Sequence, residues 1–229
     1  MSKTLKKKRK IKIKGLIIFL FVLFFLSLSI YYVLNVNIKN IVIKNTSYIN
    51  DDEIIYLGKL ENYPKFFLLN KNQVKKRIIN SPYISNVYIK KKYGFILLID
   101  VVENRPVFYD NNKNTIVFHN GQSTDINNNT YSFRIPRLIN YVPDDKYKKF
   151  IAGMAKINDN IISKISDIEY QPNDYDKDRF LLYMDDGNMV YLTLTKFKMI
   201  NHYNEVYKQL ENHKGILYLD SGNHFQIKE

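Results

Sequence analysis

The hydrophobic pattern divides the chain sharply. Residues 15–38 carry no charge, and residues 16–34 are built mainly from Leu, Ile, Phe and Val. As a helix, residues 16–34 would be about 28 Å long, close to the ~30 Å hydrocarbon core of a bilayer. Tyr31 and Tyr32 stand at the far end, where amphipathic rings favour the interface. A buried helix of a soluble protein is seldom apolar on every face for this length. A cleaved signal has a shorter apolar run, about 7–15 residues, followed by small residues. Ser27-Leu28-Ser29 has that small-x-small form, but it sits inside the run and bulky tyrosines follow. The pattern predicts an uncleaved membrane anchor.

Beyond the anchor the periods alternate between two and near four. Residues 37–45 place Ile41 and Ile43 on one face of a strand. Asn50-Asp51-Asp52-Glu53 has the form of a helix capping box and predicts a helix to about Leu60, with Ile54, Ile55 and Leu57 inward. Gly58 is expected to weaken the end of that helix. A second box, Asn70-Lys71-Asn72-Gln73, opens a helix carrying Val74, Ile78 and Ile79, and Ser81-Pro82 stops it. Residues 84–91 and 95–103 read as strands around a Tyr93-Gly94 turn, the second with Leu97, Ile99 and Val101 on one face. The order strand, helix, helix, strand, strand predicts a compact α+β module with two helices on a three-stranded sheet.

After Pro106 the strands shorten. Residues 107–110, 115–119, 165–170, 180–184, 189–194 and 216–219 read as strands, and 135–138 as an extended segment. Asn120-Gly121, the Asn run at 127–129 and Asp185-Asp186-Gly187-Asn188 are turn signals. Helices are predicted over 144–158, with Tyr147, Phe150, Ile151 and Met154 inward, and over 198–212. The second carries Ile200, Tyr203, Val206, Tyr207 and Leu210, with Gly215 as its stop. The chain is therefore α+β throughout. Its expected parts are a basic tail (1–14), a transmembrane helix (15–36), a first α+β domain (37–107) and a β-rich α+β domain (108–229).

Charge fixes the orientation. The 229 residues include 35 Lys and Arg against 22 Asp and Glu, a net charge of +13. Eight of the basic residues lie before Gly15: Lys3, Lys6, Lys7, Lys8, Arg9, Lys10, Lys12 and Lys14. Such a cluster stays on the cytoplasmic side, so the bulk of the chain is expected outside the plasma membrane, as a single-pass type II protein. The tail is better suited to anionic lipid than to nucleic acid.

Little in the sequence points to chemistry. There is no cysteine, which excludes disulfides, thiol nucleophiles and Cys-ligated metals. His119, His202, His213 and His224 do not have metal-ligand spacing. Asp174-x-Asp176-x-Asp178 opens like a calcium loop, but Arg179 and Asp185 stand where that loop needs Gly and Glu. Asp185 and Asp186 are ordinary turn residues. No enzymatic activity, cofactor, metal or small-molecule substrate is expected.

Several segments together resemble a known family. Ile41-Val42-Ile43-Lys44-Asn45 stands where that family has a hydrophobic strand ending in a turn. Ile99-Asp100-Val101-Val102-Glu103-Asn104-Arg105-Pro106-Val107 is similar to its strand ending in Glu, a basic residue, Pro and an apolar residue. Asn120-Gly121, Ile135-Pro136-Arg137-Leu138, Asp186-Gly187 and Gly215-Ile216-Leu217-Tyr218-Leu219-Asp220 match later elements in order. The family is FtsQ, called DivIB in Gram-positive bacteria: a short tail, one membrane helix, a POTRA domain and a second β-rich domain. The alignment is loose at residues 111–132.

The resemblance implies a divisome scaffold at the division septum. Such a protein binds single-pass division proteins of the FtsL and FtsB (DivIC) type outside the membrane and helps regulate septal peptidoglycan synthesis. It also implies that the last strand accepts a partner strand, which here points to Ile216, Leu217, Tyr218, Leu219 and Asp220, with Phe225 near a bulky aromatic contact. Strand physics agrees, because a chain-terminal strand is commonly an edge with free backbone groups. The alternative occupants of this strand are the protein's own residues, with Tyr218 and Phe225 packing on the last helix. The alternative functions are a membrane-anchored POTRA protein for polypeptide export or assembly, and a cell-surface enzyme with an unrecognised site.

Overall fold

The structure, a computed structural model, describes residues 13–126, 131–209 and 213–228. Most of the basic tail, the Asn run at 127–129, Leu210 and Asn212 lie outside the described residues. The first element is helix α1 (Ile13–Leu34), none of whose residues is buried. It is long and apolar enough to cross a membrane. The chain forms two compact units. One comprises the chain up to Ile79 with Val87–Val101, and the other Asn80–Asn86 with Val102 onward.

In the first unit β1 (Asn40–Lys44), α2 (Asp51–Gly58), α3 (Lys71–Ile79), β2 (Ile84–Lys92) and β3 (Ile96–Glu103) follow the expected order. The sheet runs β1-β3-β2, with β1 parallel to β3. Ile54, Leu60, Val74, Ile78, Val87, Leu97 and Ile99 are buried, which matches the two helical stripes and the strand alternation. The two capping boxes behave differently. Asn70 Oδ1 accepts the N–H of Asn72 and of Gln73, satisfying two free donors of α3. Asn50 makes no side-chain cap bond. Instead the Thr46 hydroxyl reaches Asp51 at 3.3 Å, and three acidic residues in the first turn face the positive helix end. The helix ends at Gly58, two residues short of the expected Leu60. Lys59 takes the left-handed conformation at φ 55°, and its N–H donates to Tyr56 O. Asn45 is left-handed as well, at φ 63°.

The second unit is built on one nine-stranded sheet. Its strands are β4 (Pro106–Asp110), β5 (Thr115–Phe118), β6 (Ser123–Asp125), β7 (Arg137–Leu138), β8 (Ile165–Tyr170), β9 (Arg179–Met184), β10 (Met189–Thr193), β11 (Gly215–Tyr218) and β12 (His224–Ile227). The order is β12-β11-β10-β9-β8-β7-β4-β5-β6. Two strands, β6 and β12, were not expected from the sequence.

Helices α4 (Asp144–Met154), α5 (Asp159–Ile162) and α6 (Tyr203–Gln209) contribute to its core. So does a 3-10 stretch (Leu194–His202). Phe150 of α4 stacks on Phe180 of β9 at 4.8 Å, and Phe197 meets both edge-on. The helix expected over 144–158 stops at Met154, and the one expected over 198–212 is divided between the 3-10 stretch and α6. From the start of the 3-10 stretch into α6, Leu194, Phe197, Ile200 and Tyr203 are buried. That is a strict three-residue spacing, which a 3-10 turn aligns and an α-helix spreads.

Arg105 explains the motif around Pro106. Its guanidinium donates to Ile157 O at 2.8 Å and to Asp159 at 2.7 Å, and it also bonds Ala155 O. It therefore satisfies carbonyls left free where α4 ends. Asn104 is fully buried, with its N–H on Tyr83 O and its Nδ2 on Pro82 O and Gln122 Oε1.

Candidate partner interface

β11 is neither the last strand nor an edge, which corrects the expectation for residues 216–219. It pairs in parallel with β10 on one side and antiparallel with β12 on the other. The reversal is made by Asp220-Ser221-Gly222-Asn223, with Gly222 at φ 149° and Asn223 at φ 53°. That Asp-Ser-Gly-Asn signal followed by alternating His-Phe-Gln-Ile is visible in the sequence as a turn and a further short strand. Gly215 is likewise no helix stop. It opens β11 buried, and a Cβ placed there would lie 2.0 Å from Gln226 O and 2.7 Å from the ζ carbon of Phe225.

The strand alternation splits the sequence-predicted residues between two faces. Leu217 and Leu219 belong to the core of the unit, and Phe225 packs against that core half-buried. Ile216 and Tyr218 face the other way and are half-buried. Asp220 pairs with Arg179, Nε to Oδ2 at 2.7 Å, with the two side chains 7% and 14% exposed. The Lys196 ammonium donates to Asp220 O at 2.9 Å. The turn after β11 is thereby fastened to β9 and to the 3-10 stretch.

On the face away from the core, four planar groups form a continuous stack across β9, β10, β11 and β12. The Arg179 guanidinium lies 3.4 Å over Tyr191, Tyr191 stacks on Tyr218 at 5.4 Å, and Tyr218 on His224 at 4.7 Å and 9°. Cross-strand stacking of this kind ties successive strands together on one face. A buried polar link does the same from the hairpin between β9 and β10. Asn188 accepts the Gly215 N–H at 2.9 Å and donates to the Tyr203 hydroxyl at 3.0 Å. Tyr203 in turn donates to Asp186 at 2.7 Å. Burial, then the Asp186 bond, pushes the Tyr203 phenol well above its usual range.

Among the described residues β12 is one of the two edge strands of the sheet, β6 being the other. Lys228 N–H donates to Lys214 O at 2.8 Å. In an antiparallel ladder this bond fixes the alternation, so Gln226 and His224 bond inward, and the backbone groups of Phe225 and Ile227 point outward. Beside them lies a hollow of about 370 Å³ lined by Met189, Ile216, Gln226, Ile227 and Lys228. Of these only Ile216 was anticipated.

The residues weighed for chemistry have structural partners. Asp186 serves Tyr203 and the Asn188 N–H, while Asp185 lies 3.4 Å from Arg134. Asp176 accepts the Asp178 N–H and the Thr193 hydroxyl. His202 lies 3.1 Å from Glu205. Among the described residues no group of three His, Asp or Glu side chains could hold a metal ion.

Comparison with known proteins accords with this architecture. Residues 36–104 match the family model for the FtsQ-type POTRA domain. Residues 107–221 match the model for the C-terminal domain of the cell division protein FtsQ/DivIB. The chain is 25% identical over 217 residues to the cell division protein DivIB of Bacillus anthracis, covering 93% of this chain and 82% of that one. With DivIB of Bacillus subtilis it shares 25% identity over 230 residues, covering 97% and 87%. A solved structure, the major extracytoplasmic domain of the trans isomer of DivIB from Geobacillus stearothermophilus, aligns at 23% identity with a TM-score of 0.39. That alignment spans 48% of this chain and 96% of that one. Two family models in the family's own order span most of the chain: it belongs to the FtsQ/DivIB family of bacterial cell division proteins.

Proposed function

We propose that the protein is a non-enzymatic scaffold of the division machinery, anchored by α1. Its extracytoplasmic part is the POTRA domain expected over 37–107 followed by the β-rich domain expected over 108–229. It binds single-pass division proteins of the FtsL and FtsB (DivIC) type outside the membrane, at the septum, and helps regulate septal peptidoglycan synthesis. Part of that binding is strand addition at the C-terminal end of the large sheet.

The observation that carries this reading is the β12 edge. It offers outward backbone groups at Phe225 and Ile227 next to a hollow that a side chain can fill. Backbone pairing supplies affinity, and the hollow supplies specificity. Residues 216–220 then act as the platform behind the edge. Ile216 lines the hollow, Tyr218 and Asp220 hold the stack and the turn, and Leu217 and Leu219 root the strand in the core.

The test uses Ile227, whose side chain is exposed. Ile227→Pro removes an outward N–H, whereas Ile227→Ala only trims the side chain. Cross-linking in cells and recovery from the membrane should yield two small single-pass division proteins with the wild type and the alanine variant, and neither with the proline variant. Equal recovery with proline would refute strand addition. Recovery of exported client polypeptides in place of division proteins would refute the scaffold itself.

A further inference from the structure

The first unit carries a second surface that the scaffold reading does not use. Three segments meet just beyond α1: residues 35–40, 63–69 and 90–96. Phe66 N–H donates to Val36 O at 2.8 Å, Ile38 N–H to Pro64 O at 3.1 Å, and Lys39 N–H to Phe95 O at 2.9 Å. Lys91 Nζ donates to Phe67 O at 3.2 Å. The rings of Phe66, Phe67 and Phe95 form a triangle with centroids 5.3, 5.5 and 6.1 Å apart. Lys39 sits over Phe95 and Lys91 over Phe66. Together they line an open hollow of about 570 Å³ with Lys92, Tyr93 and Gly94.

Two features identify what this surface meets. The first is its distance from the bilayer. At ~1.5 Å per residue α1 is about 33 Å long, enough to end at the boundary of the hydrocarbon core. Val36 is two residues past that end, at most about 7 Å along an extended chain. The headgroup layer on one side is of similar depth, about 5–8 Å. The hydrogen bond from Phe66 to Val36 therefore holds the aromatic triangle at the headgroup level. The second feature is composition. The three segments hold Lys39, Lys65, Lys90, Lys91 and Lys92 and no carboxylate. Tyr63, Phe67, Leu68 and Tyr93 are exposed among them.

We infer that this face of the first unit is a lipid-docking platform. It lays Phe67, Leu68 and Tyr93 into the outer headgroup layer and pairs its lysines with anionic phospholipid. Aromatic rings flanked by cations suit that boundary on both counts. The proposal rests on α1 being the membrane anchor. It adds that the unit next to the anchor is held against the bilayer and does not swing on the short connection.

The absence of native cysteine allows a single labelled cysteine in the full chain. Leu68→Cys reports the platform. Lys44→Cys, at the other end of β1 and about 17 Å along the strand from Lys39, is the control. Each carries an environment-sensitive fluorophore in vesicles of phosphatidylcholine with phosphatidylglycerol, and a headgroup spin-labelled lipid is the quencher. Strong quenching is expected at 68 and little at 44. Lys39→Gln and Lys92→Gln should each lower the docked-to-undocked ratio about fivefold. Equal quenching at 68 and 44 overturns the platform. So does quenching at 68 that is unchanged in phosphatidylcholine alone, because the lysines then contribute nothing. Extraction of the chain by alkaline carbonate overturns the anchor and the platform together, whereas retention without quenching at 68 overturns the platform alone.

Discussion

Gly215 and Phe225 interlock across β11 and β12: a Cβ at 215 would lie 2.7 Å from the ζ carbon of the ring and 2.0 Å from Gln226 O, so a side chain there meets both. Gly215→Ala therefore forces β12 away from β11. The rest of the unit keeps its own core, so the expected cost is that of overpacking, about 1–3 kcal/mol. The amides of residues 224–228 should exchange with deuterium much faster than in the wild type. Unchanged protection there would show that β12 does not depend on this glycine.

The Arg179–Asp220 pair is nearly out of water. Removing one partner leaves an uncompensated charge, so Arg179→Met should cost about 3–5 kcal/mol in denaturant melts. Combining it with Asp220→Leu should recover a large part of that loss. Equal loss in the single and double variants would mean that the guanidinium acts through its contact with Tyr191 alone.

Tyr218 is the middle of the stack between Tyr191 and His224 and lies outside the core. Tyr218→Glu should lower affinity for the division partners at least about tenfold, roughly 1.4 kcal/mol, while the melting temperature falls by only a few degrees. Undiminished affinity would remove this face of the sheet from the interface.

Alkaline pH should destabilise the second unit. Burial, then the bond to Glu169, pushes Tyr183 up to about 12. Tyr147 and Tyr203 are raised further, mainly by burial and then by Asp110 and Asp186. In the unfolded chain these phenols ionise near pH 10. Their raised values favour the folded state fully below that pH, and the benefit is lost as pH rises through 10 toward 12 and above. Phenolate absorbance from the three should appear together with unfolding. Its appearance in the folded protein at pH 10 would contradict the burial argument.

The sequence was most informative where a period ran long. The apolar run of α1, the β-α-α-β-β order and the hairpin at 185–188 were legible because each has one dominant pattern. The 3-10 stretch is hidden in the sequence although 194, 197, 200 and 203 recur by threes, since the expected helix takes in only 200 and 203 and the expected strand 189–194 takes in 194. The strand β12 was missed because its four residues are mostly exposed and carry a weak alternation. For the same reason β11 reads in the sequence as the edge strand, whereas β12 lies outside it. Asn50 illustrates another limit: the capping-box letters were present, but the side chain makes no cap bond.

The parallel pairing of β10 with β11 has a consequence for how the interface comes into being. Parallel neighbours cannot be joined by a tight turn, and here residues 194–214 make the crossover. A chain leaving the ribosome releases β12 after every other described element, and β12 has no place to add until that crossover is packed. The edge on which the proposed strand addition relies is thus formed after the other described strands of the sheet. On the proposed strand addition, a chain stalled before that crossover is packed would offer no β12 edge, so docking would select for finished molecules.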